Sequence, residues 1–499
     1  MAAALPIAQH ISTATLSLTD QRGSAKALVA RRPESKSSAG SSNVLQKPGQ
    51  CTLTLLGISA LSACSAARLL RRRARRQRTR CLAAAPRVAI IGAGPAGLAT
   101  ALALRKEAGL ENITIFERRA EIKPDIGGGV QLHAGAALLN KLGVPIERVA
   151  NPMRSLRSFS SDGDLLLELD LPGLAGQLRP LTDSLWLDSG EIASCMIMRD
   201  ALLELLSEAV PKDSIVFNRE LQSAEVEDDG VVCKFSGDDT RSFDLVIGAD
   251  GIGTVARQEV LESDVEKPRY TGLRIAYGVR KAGGRPKGAE VEPRQHFGED
   301  LYALTATYGG RNNELYEMIA LIFRDDSPVS ENIDWELADL RSQCMRRLED
   351  AGLTGEPSQV ATGCDRFFEL GVCEHPVGFE PWHRGRLVLV GDSAHAMPPF
   401  LGQGANQAVQ DAVCLARSLA AIDFAKGECS SSVVNEALER YTGQRRLPVG
   451  FLAFESNFLG QLETLPGPLG AQVRNNLFRL FGSSGVAGLV FMNGAVARC

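Results

Sequence analysis

From residue 86 onward, short runs of branched apolar residues lead into glycine-rich turns, and each turn leads into a run of helical composition. Arg87 to Ile91 reads as a strand, Leu98 to Lys106 as a helix and Asn112 to Phe116 as a second strand. Met196 to Arg199 reads as a strand end, followed by an amphipathic helix over Asp200 to Ala209 with leucines at 202, 203, 205 and 206. Phe243 to Ile247 and Leu387 to Val390 read as buried strands, and Ala405 to Leu419 reads as a helix. Strands alternating with helices in this way predict an α/β domain. Leu156 to Glu191 and Arg269 to Glu374 have a different pattern, with shorter alternating runs such as Arg274 to Val279 and Leu315 to Phe323 and few glycine turns. They predict a mixed or antiparallel sheet forming a second lobe, with a hairpin loop at Gly309 to Glu314 and a helix over Trp335 to Asp350.

Charge divides the chain differently. Of its 499 residues, 1–85 hold 14 Lys+Arg against two acidic residues, Asp20 and Glu34, a net charge of +12. Residues 86–499 hold 41 Lys+Arg and 57 Asp+Glu, a net charge of −16, which argues against nucleic acid as a partner. The first 85 residues are rich in Ala, Ser, Thr and Arg, the composition of an organellar transit peptide. Within them Cys51 to Ala67 is mildly apolar, and an arginine block from Arg68 to Arg80 follows. This order resembles the composite presequences of algae with complex plastids, so the expected destination is an organelle, the plastid. The alternatives are a membrane association through residues 51–67, if they are retained, and a disordered tail. The small-residue junction Leu82-Ala83-Ala84-Ala85 favours cleavage. The eleven cysteines show no CxxC pair and no framework spacing, so reduced thiols are expected and no metal site.

Three strand ends carry candidate chemistry. In Gly92-Ala93-Gly94-Pro95-Ala96-Gly97, Gly92 would make the tight turn, Gly94 would let the backbone approach a pyrophosphate, and Gly97 would pack helix against strand. Glu117, at the end of the second strand, would accept hydrogen bonds from ribose hydroxyls, and its neighbours Arg118 and Arg119 leave a 2′-phosphate open. The triple glycine of Ile126 to Leu132 disfavours stable helix or strand, so the backbone there bends or lies close to a ligand, the alternative being a flexible loop. Arg199 stands where a cation could face a pyrophosphate. Asp250 and Gly251 lie past the end of a third strand. The stretch Gly391 to Asp411 then organises the rest. Asp392 follows its strand, Pro398 and Pro399 stiffen the loop, Gly402 and Gly404 admit a flat ligand, and a helix N-terminus points back at that ligand. His296, His375 and His383 are isolated and read as structural or surface residues.

Together these motifs resemble the group A flavoprotein monooxygenases, the aromatic-ring hydroxylase family related to salicylate hydroxylases and zeaxanthin epoxidases, over about residues 86 to 480. The matching positions are Gly92, Gly94, Gly97 and Glu117, then Gly248-Ala249-Asp250-Gly251 with Thr254 and Arg257. Gly391-Asp392-Ser393-Ala394-His395 continues through Pro399, Gly402, Gln403, Gly404 and Asn406, and Tyr441, Arg445, Arg446 and Pro448 resemble the family's C-terminal helix. The resemblance implies a Rossmann-like FAD-binding domain with a mixed-sheet substrate lobe, the p-hydroxybenzoate-hydroxylase-like fold. It implies FAD as cofactor and NAD(P)H and O₂ as co-substrates. A C4a-hydroperoxyflavin would then hydroxylate or epoxidise an electron-rich aromatic or polyene. FAD would meet Gly92, Gly94, Gly97, Glu117, Arg118, Gln131, Arg199, Asp250, Gly251, Asp392 and the loop Gly402-Gln403-Gly404-Ala405-Asn406, while the backbone at Pro399, Gly402 and Gly404 would serve catalysis. The expected domains are a presequence at 1–85, an FAD-binding domain at 86–155, 192–262 and 384–425, a substrate lobe at 156–191 and 263–383, and a C-terminal helical region at 426–499. A reductase of an isoprenoid or pigment double bond, and a non-catalytic binder on the same fold, are the alternatives.

Overall fold

The structure, a computed structural model, describes residues 85–122, 128–262, 267–284, 292–327, 339–424 and 429–499. The expected presequence, Gly127 and the start of the helix expected at Trp335 lie outside the described residues. Those described form one compact unit.

A six-stranded sheet carries the glycine turns. In spatial order its strands are His383–Arg384, Leu387–Leu389, Leu245–Gly248, Val88–Ile91, Ile113–Phe116 and Ile215–Val216. Neighbours are parallel except for the first pair. Val88–Ile91 and Leu245–Gly248 are buried along their whole length, as expected for apolar runs covered on both faces. The helix Pro95–Ala108 begins where the sequence allows, with Gly94 at its N-cap and proline in its first turn, and ends at Gly109 in a left-handed conformation. It packs against the helix Gly404–Ala420. The pattern did not foresee the three-stranded antiparallel meander Leu221–Glu227, Gly230–Phe235 and Asp239–Phe243, whose Phe235 ring stacks on Phe116 with centroids 4.3 Å apart.

The second sheet has ten strands of mixed direction. Its spine runs Arg366–Glu374, Arg269–Gly284, Glu314–Arg324, Leu301–Gly309, Arg294–Phe297, Ser155–Ser160 and Leu165–Asp170. The hairpin turn falls at Gly310 to Asn313, where Asn312 and Asn313 take positive φ, a conformation asparagine tolerates. The helices Leu340–Asp350 and Glu356–Gly363 cover one face of this sheet with a separate apolar cluster. The other face joins the main core. One expectation is corrected here. Gly129–Leu132 is a strand despite the triple glycine, pairing antiparallel with Cys195–Met198. The glycine is needed for another reason, because a Cβ on Gly129 would stand 2.0 Å from the Tyr308 ring.

Three helices complete the chain: Ser431–Glu463, Gly467–Ser484 and Val486–Ala495. Among the described residues no helix is long and apolar enough to cross a membrane, and no group of three or more His, Cys, Asp or Glu side chains could hold a metal ion.

Candidate functional site

The first turn is built by close approach. Gly92 has φ +105°, and a Cβ there would stand 2.4 Å from the Ala249 carbonyl oxygen. A Cβ on Gly97 would stand 1.9 Å from the Gly92 oxygen, so this position locks the helix onto the turn. Gly94 differs, since nothing lies within 4 Å of where its Cβ would be. The helix therefore starts with unpaired N–H groups facing open space. Glu117 accepts from the Ala93 and Arg119 amides, each at 3.0 Å, which holds its half-buried carboxylate beside that space. Arg118 turns outward to an exposed ion pair with Glu220 at 3.7 Å.

The other strand ends meet the first. Ser393 Oγ accepts from Gly251 N and donates to Asp250 Oδ1, both at 3.0 Å, and Arg257 donates to the Ala394 oxygen at 2.9 Å. Asp250 also accepts from Thr254 Oγ1 at 2.6 Å, Val255 N at 2.8 Å and Ala256 N at 3.1 Å, so its carboxylate caps the helix Val255–Leu261. Asp392 is exposed at the end of its strand. Arg199, the first residue of the helix Arg199–Ala209 that follows the strand Cys195–Met198, lies within the electrostatic field of Asp392 and Glu117. Burial and Arg119 hold its guanidinium below the usual arginine range, and the two carboxylates oppose that shift.

The loop after Asp392 is fastened from behind. A Cβ on Gly391 would stand 2.9 Å from the Ala96 Cβ, so the first and third turns touch. Pro399 is exposed, and Gly402 has φ +63° with Gln131 Oε1 2.6 Å from its Cβ position. Gly404, in the first turn of its helix, has nothing within 4 Å of a Cβ. Asn406 is fully buried, accepting from His133 N at 2.8 Å and Gly135 N at 3.1 Å and donating to the Gln131 oxygen at 3.2 Å. Gln403 donates to the Leu401 oxygen and accepts from Gln407. The side chains of Asp250, Gln403 and Asn406 are thus engaged within the protein, which leaves their backbone groups to offer a ligand. Ala405 is half-buried, and its amide belongs to the unpaired first turn of the helix.

The sequence motifs contain His395, Asp411 and Arg445 but do not show how they pair, and they omit His133. Asp411 accepts from Gly391 N at 2.9 Å, meets His395 Nε2 at 2.5 Å and accepts from Arg445 Nε at 2.7 Å. Burial alone would raise the Asp411 carboxyl, but His395 and Arg445 hold it below the usual range. Arg445 also donates to Gln407 Oε1 at 2.6 Å and Gln410 Oε1 at 3.1 Å. His133 is fully buried, with Nδ1 2.9 Å from Ser194 Oγ and Nε2 without a partner among the described residues, and burial pushes its pKa down to about 4. These partners lie 16 to 61 residues apart, beyond the reach of a local motif.

Beside Gly128 and the strand Gly129–Leu132, whose Gln131 meets Gly402, the lobe sheet carries an aromatic floor. The ring of Tyr277 and the sulfur of Met318 lie 3.3 and 3.1 Å from the Cβ position of Gly128, and Tyr277 stacks on Phe368 with centroids 4.9 Å apart. Burial pushes the phenols of Tyr277 and Tyr308 up, that of Tyr277 to about 12, so both stay neutral. His296 sits against Phe159 and His383 lies 3.8 Å from Glu439, away from the loops, whereas the buried His375 ties two of them, with its ring 2.8 Å from the Ile252 oxygen and its amide donating to the Ala396 oxygen at 2.8 Å.

Residues 86–450 match the family described as FAD binding domain. The chain belongs to this family. A 3-amino-4-hydroxybenzoate 2-monooxygenase, PtmB3 of Streptomyces platensis, is 29% identical over 368 residues, covering 73% of this chain and 84% of that protein. A 6-hydroxynicotinate 3-monooxygenase of Pseudomonas fluorescens is 27% identical over 347 residues, covering 67% of this chain and 82% of that protein. Among solved structures, Klebsiella pneumoniae HpxO complexed with FAD and uric acid shares the fold with a TM-score of 0.66 at 20% identity, over 82% of this chain and 97% of that one. A salicylate hydroxylase substrate complex gives a TM-score of 0.62 at 21% identity, over 83% and 98%. The Rossmann-like domain with a mixed-sheet lobe is therefore the fold of this chain.

Proposed function

We propose that this protein is an FAD-dependent monooxygenase that transfers one oxygen atom from O₂ to an electron-rich small molecule, with NAD(P)H as reductant. The observation that carries the reading is the convergence of three glycine-rich strand ends with open space at Gly94 and Gly404. The residues fit FAD. The helix start after Gly94 suits a pyrophosphate, Glu117 the adenosine ribose, Asp392 the ribityl chain, and Arg199 the pyrophosphate or the ribityl chain. The first-turn amides of Gly404 to Asn406 suit the negative charge that develops on a reduced ring. When bound, FAD supplies the electron transfer and oxygen activation. The protein's own share is to hold a planar substrate against the loop and to exclude water. Tyr277, Tyr308, Met318 and Phe368 bring no charge to the floor, which suits an uncharged aromatic ring or polyene.

We also infer that residues 1 to about 85 direct the chain to an organelle, the plastid, and are then removed, on the strength of their +12 charge. N-terminal sequencing of the native protein tests this, and a mature form that retains Leu53 to Arg80 would refute it. The catalytic reading is tested by screening for compounds that accelerate NAD(P)H oxidation and then tracing labelled O₂. One labelled oxygen in the product is expected. Product oxygen drawn only from water, or reduction of a double bond without O₂, would sink the reading.

A further inference from the structure

The helix Ser431–Glu463 has two unlike faces. Its inner face is tied to the protein through Tyr441, Arg445 and Ser456. On the outer face Leu447, Phe451, Phe454 and Phe458 are 77%, 54%, 68% and 56% exposed. Their spacing of four, three and four places them on one line, about 16 Å long at 1.5 Å per residue. This is the two-per-heptad seam by which one helix packs against another. Phe379, 92% exposed, lies in the loop that runs alongside this helix. Its loop is fastened to the same helix by Asn457, which donates to Glu374 at 3.0 Å, and by Val377, 3.4 Å from the Cβ position of Gly450. From Leu447 to Leu462 the one charged residue is Glu455, half-buried and bonded to Asn493 at 3.4 Å.

We propose that this face joins two copies of the chain, seam against seam across a twofold axis. A soluble monomer rarely exposes a contiguous apolar patch of more than a few hundred Å². A helix that lies on a lipid surface carries Lys and Arg on its polar side. Here the exposed positions from Gly443 to Phe458 are Gly443, Gln444, Leu447, Phe451, Phe454 and Phe458, on a body of net charge −16. A twofold contact also needs no complementary patch elsewhere on the surface. At roughly 150–250 Å² per large apolar side chain, the exposed parts of these five residues amount to about 500–850 Å² on each copy. Both copies together give about 1,000–1,700 Å², which overlaps the ~1,200–2,000 Å² of stable specific interfaces.

Sedimentation velocity of the full chain loaded with FAD, at tens of micromolar, tests the proposal. The wild type is expected at dimer mass. Phe454→Glu is expected at monomer mass with an unchanged flavin spectrum, which shows that the variant is folded. Leu181→Glu, an equally exposed apolar position on another element, is expected to remain dimeric. A monomeric wild type overturns the proposal, as does a Phe454→Glu variant that stays dimeric or a Leu181→Glu variant that dissociates as completely. Flotation of monomeric wild type with phosphatidylcholine or phosphatidylglycerol vesicles would overturn it in favour of a membrane.

Discussion

Two buried residues set the terms on which this protein tolerates mutation and pH. Asp411 has no exposed surface and balances Arg445, which has none either. Asp411→Asn would leave that guanidinium uncompensated in the interior, at a cost of about 3–5 kcal/mol. Because Asp411 also anchors Gly391, the same change should loosen flavin. Denaturant unfolding monitored by flavin fluorescence checks both effects, and a loss below about 1 kcal/mol, the level of an exposed ion pair, would contradict the buried balance. Glu463 behaves differently. Burial pushes its carboxyl up to about 8 from 4.5, and bonds from Gln295 and Tyr302 together with the nearby Arg474 only partly counter this. Between those two values the folded protein holds a proton that the unfolded chain has released. The stability linked to that proton is therefore fully present below about pH 4.5 and is lost as pH rises through about 8. Glu463→Gln should melt with a flatter pH dependence between pH 5 and 8 than the wild type. Parallel melting curves for the two proteins would show that Glu463 is already ionised when folded.

At the scale of elements, glycines separate binding from folding. Gly404→Val adds a Cβ with no protein atom within 4 Å, so the apoprotein should melt within about 0.5 kcal/mol of wild type while flavin is excluded. Gly97→Ala drives a methyl into the Gly92 oxygen at 1.9 Å and should cost stability before binding, about 1–3 kcal/mol from overpacking. Apoprotein melting and flavin titration of the two variants should give opposite patterns, and matching patterns would mean that Gly404 does not face the ligand. These turns were legible in the sequence because each is local: a β-rich run, glycines at fixed offsets, then a helix. The meander at Leu221 to Phe243 was not read although Asp229-Gly230 and Gly237-Asp238 mark its turns, because the outer strands Leu221–Glu227 and Asp239–Phe243 are short and mostly polar. The strand Gly129–Leu132 was misjudged for another reason. Its glycines answer to Tyr308, Tyr277 and Met318, which lie far along the chain and whose rings and sulfur fill the space a Cβ would take. Asn406 appeared in the motif, but its task of joining the helix Gly404–Ala420 to the turn after Leu132 depends on a bond across 273 residues.

At the scale of the molecule, the helix Ser431–Glu463 reaches both sheets. Its 33 residues span about 50 Å at 1.5 Å each. About a third of the way along, Tyr441 donates to the Leu389 oxygen at 3.0 Å, in the parallel sheet. Further along, Ser456 donates to the Pro398 oxygen at 2.6 Å, and Gly460 lies against Phe400. At the far end Glu463 accepts from Gln295 at 3.0 Å, in the lobe sheet. A rod pinned to each sheet and between them acts as a splint. The lobes then cannot swing apart like a clam to admit a substrate without breaking a buried bond at one sheet or the other. Small-angle scattering should give the same radius of gyration with and without FAD, and expansion of the apoprotein would reveal a hinge. Traffic to the floor beneath Tyr277 and Phe368 therefore has to pass through movements of single loops, in a body that otherwise keeps its shape through turnover.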